Sequence, residues 1–236
     1  MKIPKKISPD HIKDSIVGIR YTTKTPFEVA IGLFYKSLDN TFFYTNRPVG
    51  NKQPIAYQQI PLFYNEKIKI EIQPNSIVFS CLNEYISWGK FKPEIENVLL
   101  QLEKVNIIET YTRIGIRYIN EYPNLDFKDC IKFSFTLGIP ELNSDVYSFR
   151  SEFNVNDLMI ILNLNNKVPV LSANPASNQM AITPSSYIDI DIIKDNINET
   201  EIKNLISYIE DLHIKEKEIF FNLLTEKYLE TLNPTY

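Results

Sequence analysis

YTRIGIRYINEY, residues 111–122, has the clearest strand pattern in the chain and is the best guide to its architecture. Alternate residues of a β-strand point to opposite faces of the sheet. One face of this strand is apolar enough to pack on a core and carries Thr112, Ile114, Ile116 and Tyr118. The other face is polar and carries Tyr111, Arg113, Gly115 and Arg117. The stretch therefore predicts a half-buried strand with two guanidinium groups on its second face.

The two arginines allow more than one interpretation. A glycine inside a strand often marks a place where another group approaches closely, and Gly115 separates Arg113 from Arg117. Two planar guanidinium groups beside that gap could clamp a carboxylate, a phosphate or a nucleic acid. They could also anchor a partner protein. The commonest arrangement on a strand face, however, is a cross-strand pair of each arginine with Asp or Glu.

A short internal echo connects this strand to the start of the chain. The sequence GIRY at residues 18–21 repeats at residues 115–118. The two copies are either neighbours in one sheet or equivalent strands of two related halves. In both cases we expect Arg20, Arg113 and Arg117 to lie on a common face.

Length and charge limit the class of protein. The chain has 236 residues and is 44% hydrophobic, which fits a single domain spanning 1–236 or two intimate halves, 1–123 and 124–236. Its formal net charge is −4, which argues against a general nucleic-acid coat and gives no reason to expect binding to an anionic membrane.

The cysteines and the N-terminal segment suggest a compartment. Cys81 and Cys130 lie in apolar runs and are interpreted as buried free thiols in a reducing environment. The N-terminal segment lacks the apolar region of a secretory signal, and the sequence contains no apolar run of membrane-spanning length. The sequence therefore predicts a cytoplasmic protein that does not enter a membrane.

Periodicity along the chain predicts the remaining elements. Helical patterns cover 25–38 and 91–105, and a C-terminal helix follows a capping-box pattern at Asn198 and Glu201. Strand patterns cover 15–22, 61–72, 75–83, 130–137, 146–153, 157–164 and 187–193, with a turn at 165–166 and an irregular stretch at 169–185. This order predicts an α+β fold, mainly antiparallel sheet with helices packed on one face.

No constellation of residues predicts catalysis. The six glycines form no phosphate-binding loop, and His11 and His213 are far apart in the sequence, so His213 is interpreted as structural. Asp189 and Asp191 share a strand face, where they could hold a divalent cation but more commonly meet arginines such as Arg113 and Arg117. We therefore predict no catalytic residue, no metal site and no cofactor.

The single tryptophan also has two interpretations. Trp88 lies three residues after Tyr85, just before a predicted helix, and core packing is the usual role of such a pair. Lys90 and Lys92 follow closely, so a platform that stacks a nucleic-acid base is the alternative.

The motifs together resemble a known group of proteins. Tyr85-x-x-Trp88 and Arg113-x-Gly115-x-Arg117-Tyr118-x-Asn120 resemble the Y-x-x-W and R-x-G-x-R-Y-x-N pattern of a sporadically distributed family of uncharacterised bacterial proteins. The C-terminal part is similar as well, with the strand at 187–191, His213, Phe220-Phe221 and Asn233-Pro234. Where family members usually have a glycine between the tyrosine and the tryptophan, this chain has Ile86-Ser87.

The resemblance carries no established activity, but its patchy distribution is typical of defence and toxin–antitoxin genes. It favours a protein that works by binding a partner protein, such as one encoded by a neighbouring gene, and it leaves self-association open. The lack of catalytic residues, the acidic charge and the aromatic content of 12% favour a non-enzymatic interaction protein. The candidate contact residues are Arg20, Arg113, Arg117, Tyr118 and Trp88. The alternatives are a sensor or enzyme for a phosphorylated ligand on the arginine-lined face, and a local nucleic-acid binder.

Overall fold

A computed structural model describes residues 2–38, 40–46, 61–136, 138–139, 141, 144–173 and 180–236. The described strands are β1 (Ile12–Thr23), β2 (Phe43–Thr45), β3 (Leu62–Tyr64), β4 (Ile68–Gln73), β5 (Ser76–Cys81), β6 (Ile108–Pro123), β7 (Tyr147–Val155), β8 (Leu158–Ala173) and β9 (Met180–Glu199). The described helices are α1 (Phe27–Leu38), α2 (Trp88–Val105), α3 (Ile202–Leu223) and α4 (Glu226–Thr231). Among these described helices, none is both long and apolar enough to cross a membrane.

The strands form one antiparallel sheet in the order β2-β3-β4-β5-β1-β6-β9-β8-β7. The predicted α+β class with a mainly antiparallel sheet is confirmed. The two strands that carry the GIRY echo are neighbours at the centre, where Gly18 lies opposite Gly115 and Arg20 lies opposite Arg113. The division into two halves stays a prediction, and β6 and β9 pair across its proposed boundary.

The helices and one face of the sheet share a single core. Alternation along β6 directs Ile114, Ile116 and Tyr118 into this core, where they join buried side chains of α1, α2 and α3. The placement of Tyr111 beside the arginines is wrong, because β6 has one extra residue between Tyr111 and Arg113 where these two pair with Tyr21 and Arg20 of β1. A bulge of this kind inserts one residue and reverses the facing of the residues on its far side, so Tyr111 is buried in the core.

One predicted strand, one predicted turn and one predicted irregular stretch have a different structure. In the predicted strand at 130–137, the described residues 130–136 are not a strand, and their only strand-like pairing with a described residue is an isolated bridge between Ile131 and Leu224; residue 137 lies outside the described residues. The predicted turn at 165–166 is part of β8, which continues through a bulge with Lys167 at φ 53°. The described part of the predicted irregular stretch, 169–173 and 180–185, is likewise paired strand, and residues 174–179 lie outside the described residues.

The helix boundaries differ from the sequence pattern in two places. Helix α2 begins at Trp88, about one turn before the predicted start. The predicted capping box is wrong, because Asn198 lies inside β9 and Glu201 is the residue before α3. The carboxylate of Glu199 accepts hydrogen bonds from the backbone N–H groups of Thr200 and Glu201, both at 2.8 Å, and so orders the turn that precedes α3.

Strands β8 and β9 extend beyond the rest of the sheet. Pairing of β6 with β9 ends at Pro123 and Ser185, whereas β8 and β9 remain paired up to Ala173 and Met180. We call the described residues 169–173 and 180–184 the β-arm. Within it, Leu171 lies opposite Ile182, and the two residues are 60% and 71% exposed.

Ser87, which precedes α2, has a strained backbone. Its φ of 73° and ψ of 151° fall in a region that is almost exclusive to glycine and costs other residues about 1–3 kcal/mol. We expect Ser87→Gly to raise the free energy of unfolding by about 1 kcal/mol, because relief of strain exceeds the added entropy of the unfolded chain. Urea denaturation measures this change.

Ser87→Ala is the matched control, because it removes the same hydroxyl and keeps the strained backbone. No gain is expected from the alanine variant. A glycine variant that is no more stable than the alanine variant would contradict the strain argument.

Candidate functional site

The central strand β6 separates the five predicted contact residues into two groups. Arg113 and Arg117 project from one face of the sheet together with Arg20 of β1, and we call this the arginine face. Tyr118 projects to the opposite, helix-covered side, where it lies near Trp88 at the start of α2. The structure therefore contains two candidate sites, one on each face of the same strand.

The arginine face has a shallow depression of about 290 Å³. Gly18 and Gly115 lie opposite each other in its lining, and Arg20, Arg113 and Arg117 lie around them. The absence of side chains at the two glycines keeps the depression open between the guanidinium groups. This geometry brings together the three arginines that the echo placed on one face.

Two of these guanidinium groups form ion pairs with carboxylates. Arg117 donates two hydrogen bonds to Asp189, from Nε at 2.8 Å and from Nη2 at 2.7 Å. Arg113 lies 3.3 Å from a carboxylate oxygen of Asp195. The hydrogen bonds to Asp189 raise the pKa of Arg117 above its usual value, so the guanidinium is held as a cation.

Asp189 connects the pair to the neighbouring strands. Its Oδ2 also accepts a hydrogen bond from Nδ2 of Asn163 at 3.0 Å, and Oδ1 of Asn163 accepts one from Arg150 at 3.2 Å. Asp191, the second predicted partner, makes no ion pair with Arg113 within the described residues, and burial raises its pKa. The hydrogen bonds thus connect four polar side chains across β7, β8, β9 and β6, which we call the polar ladder: Arg150, Asn163, Asp189 and Arg117.

This ladder weakens the case for a phosphate clamp. A clamp needs guanidinium groups whose donors are free, and Arg117 and Arg113 face carboxylates. Arg20 is exposed and has no ion pair with any described residue. Within the described chain we also find no group of three or more side chains suited to hold a metal ion.

The second site is a cavity of about 330 Å³ on the helix side, which we call the α3 pocket. Four parts of the chain enclose it: the segment 5–12, the residues 85–89 before and at the start of α2, strand β6 and helix α3. The side chains that determine its chemistry are Trp88, Tyr118, Asn120, His213, Glu216 and Lys217.

His213 is packed between two aromatic residues. Its ring stacks on Trp88 with centroids 4.1 Å apart, and its Nδ1 lies 3.3 Å from the hydroxyl of Tyr118. Burial, with a smaller contribution from Lys217, lowers the pKa of His213 to about 4. The imidazole is therefore neutral at physiological pH.

The packing around Trp88 weakens the hypothesis that this residue stacks a nucleic-acid base. His213 covers one face of the indole of Trp88, and the indole Nε1 donates to Glu210 at 3.1 Å. Lys92 makes an ion pair with Glu210 at 2.7 Å. Because one ring face and one cation are already engaged, this part of the surface gives little support to a nucleic-acid interface.

Glu216 and Asn120 are buried polar residues with incomplete hydrogen bonding. The carboxyl of Glu216 is 4% exposed as a residue, has no hydrogen bond to any described residue, and burial raises its pKa to about 8. Asn120 is 3% exposed, and the one hydrogen bond that its side chain makes within the described chain is a long one, 3.5 Å, from Nδ2 to the carbonyl of Ile188. Both side chains line the α3 pocket.

The sequence interpretation overlooked Glu216. The apolar stripe of α3 passes through Leu212 and Phe220, and Glu216 lies on the same stripe, one turn from each. A carboxyl group on an otherwise apolar helix face is the signal that could have identified it.

Comparison with protein-family models gave no match to the chain, and comparison with curated proteins gave none at the required significance. The functional proposals are therefore supported by the geometry of the sites and by the sequence resemblance.

Proposed function

We propose that the protein is a non-enzymatic interaction component that binds a partner protein through the β-arm. The observation that carries this proposal is the pair of exposed aliphatic side chains, Leu171 and Ile182, directly opposite each other on adjacent strands. A scattered exposed aliphatic residue is ordinary on a protein surface, whereas a cross-strand pair makes a continuous apolar patch.

The position of this patch supports a contact role. The β-arm is two-stranded beyond the end of β6, and two-stranded ribbons gain little stability by themselves. Its exposed apolar surface is therefore poorly explained by a contribution to this chain's own core. Burial against another protein would remove that surface from water and stabilise the ribbon.

The composition of the β-arm selects the kind of partner. Its described residues, PVLSA at 169–173 and MAITP at 180–184, contain no charged side chain. Nucleic acids and anionic membranes are bound chiefly through Lys and Arg, so neither suits this surface. We therefore propose an apolar patch on a partner protein as the occupant.

The wider biological setting is part of the proposal. The family resemblance favours a bacterial defence or toxin–antitoxin-like system, with the partner encoded by a neighbouring gene. A cytoplasmic location agrees with Cys81 and Cys130, which are both free thiols. Arg20, exposed on the arginine face, offers a second contact to an acidic group of the partner.

Parallel affinity capture from host-cell extract tests the β-arm. The tagged wild-type protein is compared with the double variant Leu171→Ser, Ile182→Ser, which removes apolar surface at an exposed site and leaves the core unchanged. We expect a stoichiometric protein partner with the wild type and its loss with the double variant, because the apolar patch supplies the contact.

The matched control is Val29→Ser, Leu100→Ser, which removes two aliphatic side chains of similar exposure, 51% and 48%, from helices α1 and α2. It should retain the partner. Retention of the partner by the β-arm variant would overturn the assignment of this surface. Turnover of a small molecule that depends on Arg113 or Arg117 in a folded variant would overturn the non-enzymatic role.

A further inference from the structure

The α3 pocket contains two buried polar groups that the described chain leaves without adequate partners. Glu216 and Asn120 both line it, on α3 and β6 respectively. About nine-tenths of buried polar groups in proteins are hydrogen-bonded, because an unpaired one costs about 1–3 kcal/mol. Two such groups facing one cavity indicate that its occupant is a molecule able to hydrogen-bond to both.

The chemistry of the two groups narrows the occupant. A neutral carboxyl offers one donor and an acceptor, and an amide offers a carbonyl acceptor and two N–H donors. Adjacent donors and acceptors in one plane are what the edge of a nucleobase presents, and Asn is a common partner for such edges.

The walls of the pocket suit a planar ring. Tyr85, Trp88 and Phe220 line it together with Tyr118, and Tyr85 packs edge-on against Tyr118 with centroids 5.7 Å apart. Aromatic side chains of this kind give a flat heterocycle apolar surface and stacking partners.

The lining of the pocket carries more cations than carboxylates. Lys5, Lys6 and Lys217 line it, whereas Asp10 is the one carboxylate in its described lining besides the neutral Glu216. The segment that carries Lys5 and Lys6 is fixed in place by hydrogen bonds with Thr235, from the N–H of Lys5 at 2.7 Å and to the carbonyl of Lys6 at 2.9 Å. Lysine ammonium groups bind phosphate as point charges.

We propose that the α3 pocket binds a nucleoside monophosphate, with the base against Glu216 and Asn120 and the phosphate at Lys5, Lys6 and Lys217. The cavity of about 330 Å³ is at the small end of ligand sites, which suits a mononucleotide better than a dinucleotide cofactor. This site is separate from the β-arm and does not depend on the function proposed for it.

Isothermal titration calorimetry tests whether the α3 pocket binds a nucleoside monophosphate. The ligands are the four ribonucleoside monophosphates, the four nucleosides, inorganic phosphate and benzoate. At least one monophosphate should bind, with its nucleoside weaker by about tenfold or more because the lysine contacts are lost. Lys217→Met should weaken the monophosphate by about tenfold and leave the nucleoside unchanged. Lys217→Arg, which keeps the charge, should bind like the wild type.

Lys215→Met is the matched control, because it removes a lysine from the same helix outside the pocket. It should not affect binding. The proposal is overturned if no monophosphate binds at about 1 mM, or if the Lys215 and Lys217 variants lose equal affinity. Phosphate or benzoate binding as tightly as every monophosphate would also overturn it, because the base would then make no contribution.

Discussion

Replacing Glu216 by glutamine should abolish this side chain's contribution to stability in the wild-type protein, a contribution that falls as the pH rises from about 4.5 to about 8. The folded protein holds the Glu216 proton up to about pH 8, since burial raises its pKa, whereas the unfolded chain releases it near the ordinary glutamate pKa of 4.5. Between these values the unfolded state binds fewer protons, so this group lowers the free energy of unfolding by about 1.4 kcal/mol per pH unit. Below pH 4.5 there is no such loss, and above pH 8 the loss is constant.

His213 acts in the opposite direction at lower pH. Its folded pKa of about 4 lies below the ordinary histidine pKa of 6.5, so the unfolded state takes up a proton first as the pH falls. This group therefore lowers the free energy of unfolding as the pH decreases from 6.5 to 4. In the wild type the two slopes cancel between about 4.5 and 6.5, and a net decline remains from 6.5 to 8.

Single variants separate the two contributions. The measurement is urea denaturation from about pH 4 to about pH 9 for the wild type, Glu216→Gln and His213→Asn. The glutamine variant should show only the rise up to pH 6.5, and the asparagine variant only the decline up to pH 8. Glu218→Gln on the same helix is the control and should follow the wild-type curve; a Glu216→Gln curve parallel to the wild type would contradict the argument.

Asp189→Ala should lower the free energy of unfolding by about 2–3 kcal/mol. The substitution removes the acceptor of two hydrogen bonds from Arg117 and one from Asn163, and bonds to charged groups contribute about 1.5–3 kcal/mol. The loss of a fully buried pair would cost more, but the side chain of Arg117 is 41% exposed and water solvates the freed guanidinium. Chemical denaturation at neutral pH measures the difference.

Asp195→Ala provides the comparison on the same strand. The carboxylate of Asp195 pairs with Arg113 but is 45% exposed, so its removal should cost less than about 1 kcal/mol. Equal losses for the two alanine variants would show that burial and the bidentate geometry of Asp189 are not what stabilise the ladder.

The features that arise from local periodicity could be predicted from the sequence. The alternation in β6 and the apolar stripes of α1 and α2 are local patterns, and the structure reproduces the elements they predict. The GIRY echo also identified a real proximity, because Arg20 and Arg113 are cross-strand neighbours.

The features that depend on distant partners could not be predicted in this way. Asn166 looks like a turn residue, but its Oδ1 accepts a hydrogen bond from the N–H of Phe127 and its Nδ2 donates to the carbonyl of Asp145. Residues 130–136 alternate like a strand, yet Phe133 packs on Phe149 instead of extending the sheet. In each case a tertiary contact overrides the local preference.

Within the α3 pocket the division is the same. The sequence singles out Trp88 and Tyr118 separately, because each lies in a distinctive local motif. The pairing of Trp88 with His213 joins residues more than a hundred positions apart, and no local pattern specifies it. Glu216 acquires its raised pKa from burial by the folded chain, which the helix sequence alone does not display.

The central position of β1 has a consequence for synthesis of the chain. Strand β1 ends at Thr23, but its two neighbours are β5, which begins at Ser76, and β6, which begins at Ile108. A ribosome must therefore release more than half of the polypeptide before β1 can complete both of its hydrogen-bonded edges. Such high contact order favours slow folding, on the millisecond-to-second scale, and leaves an unpaired apolar strand that chaperones can protect in the meantime.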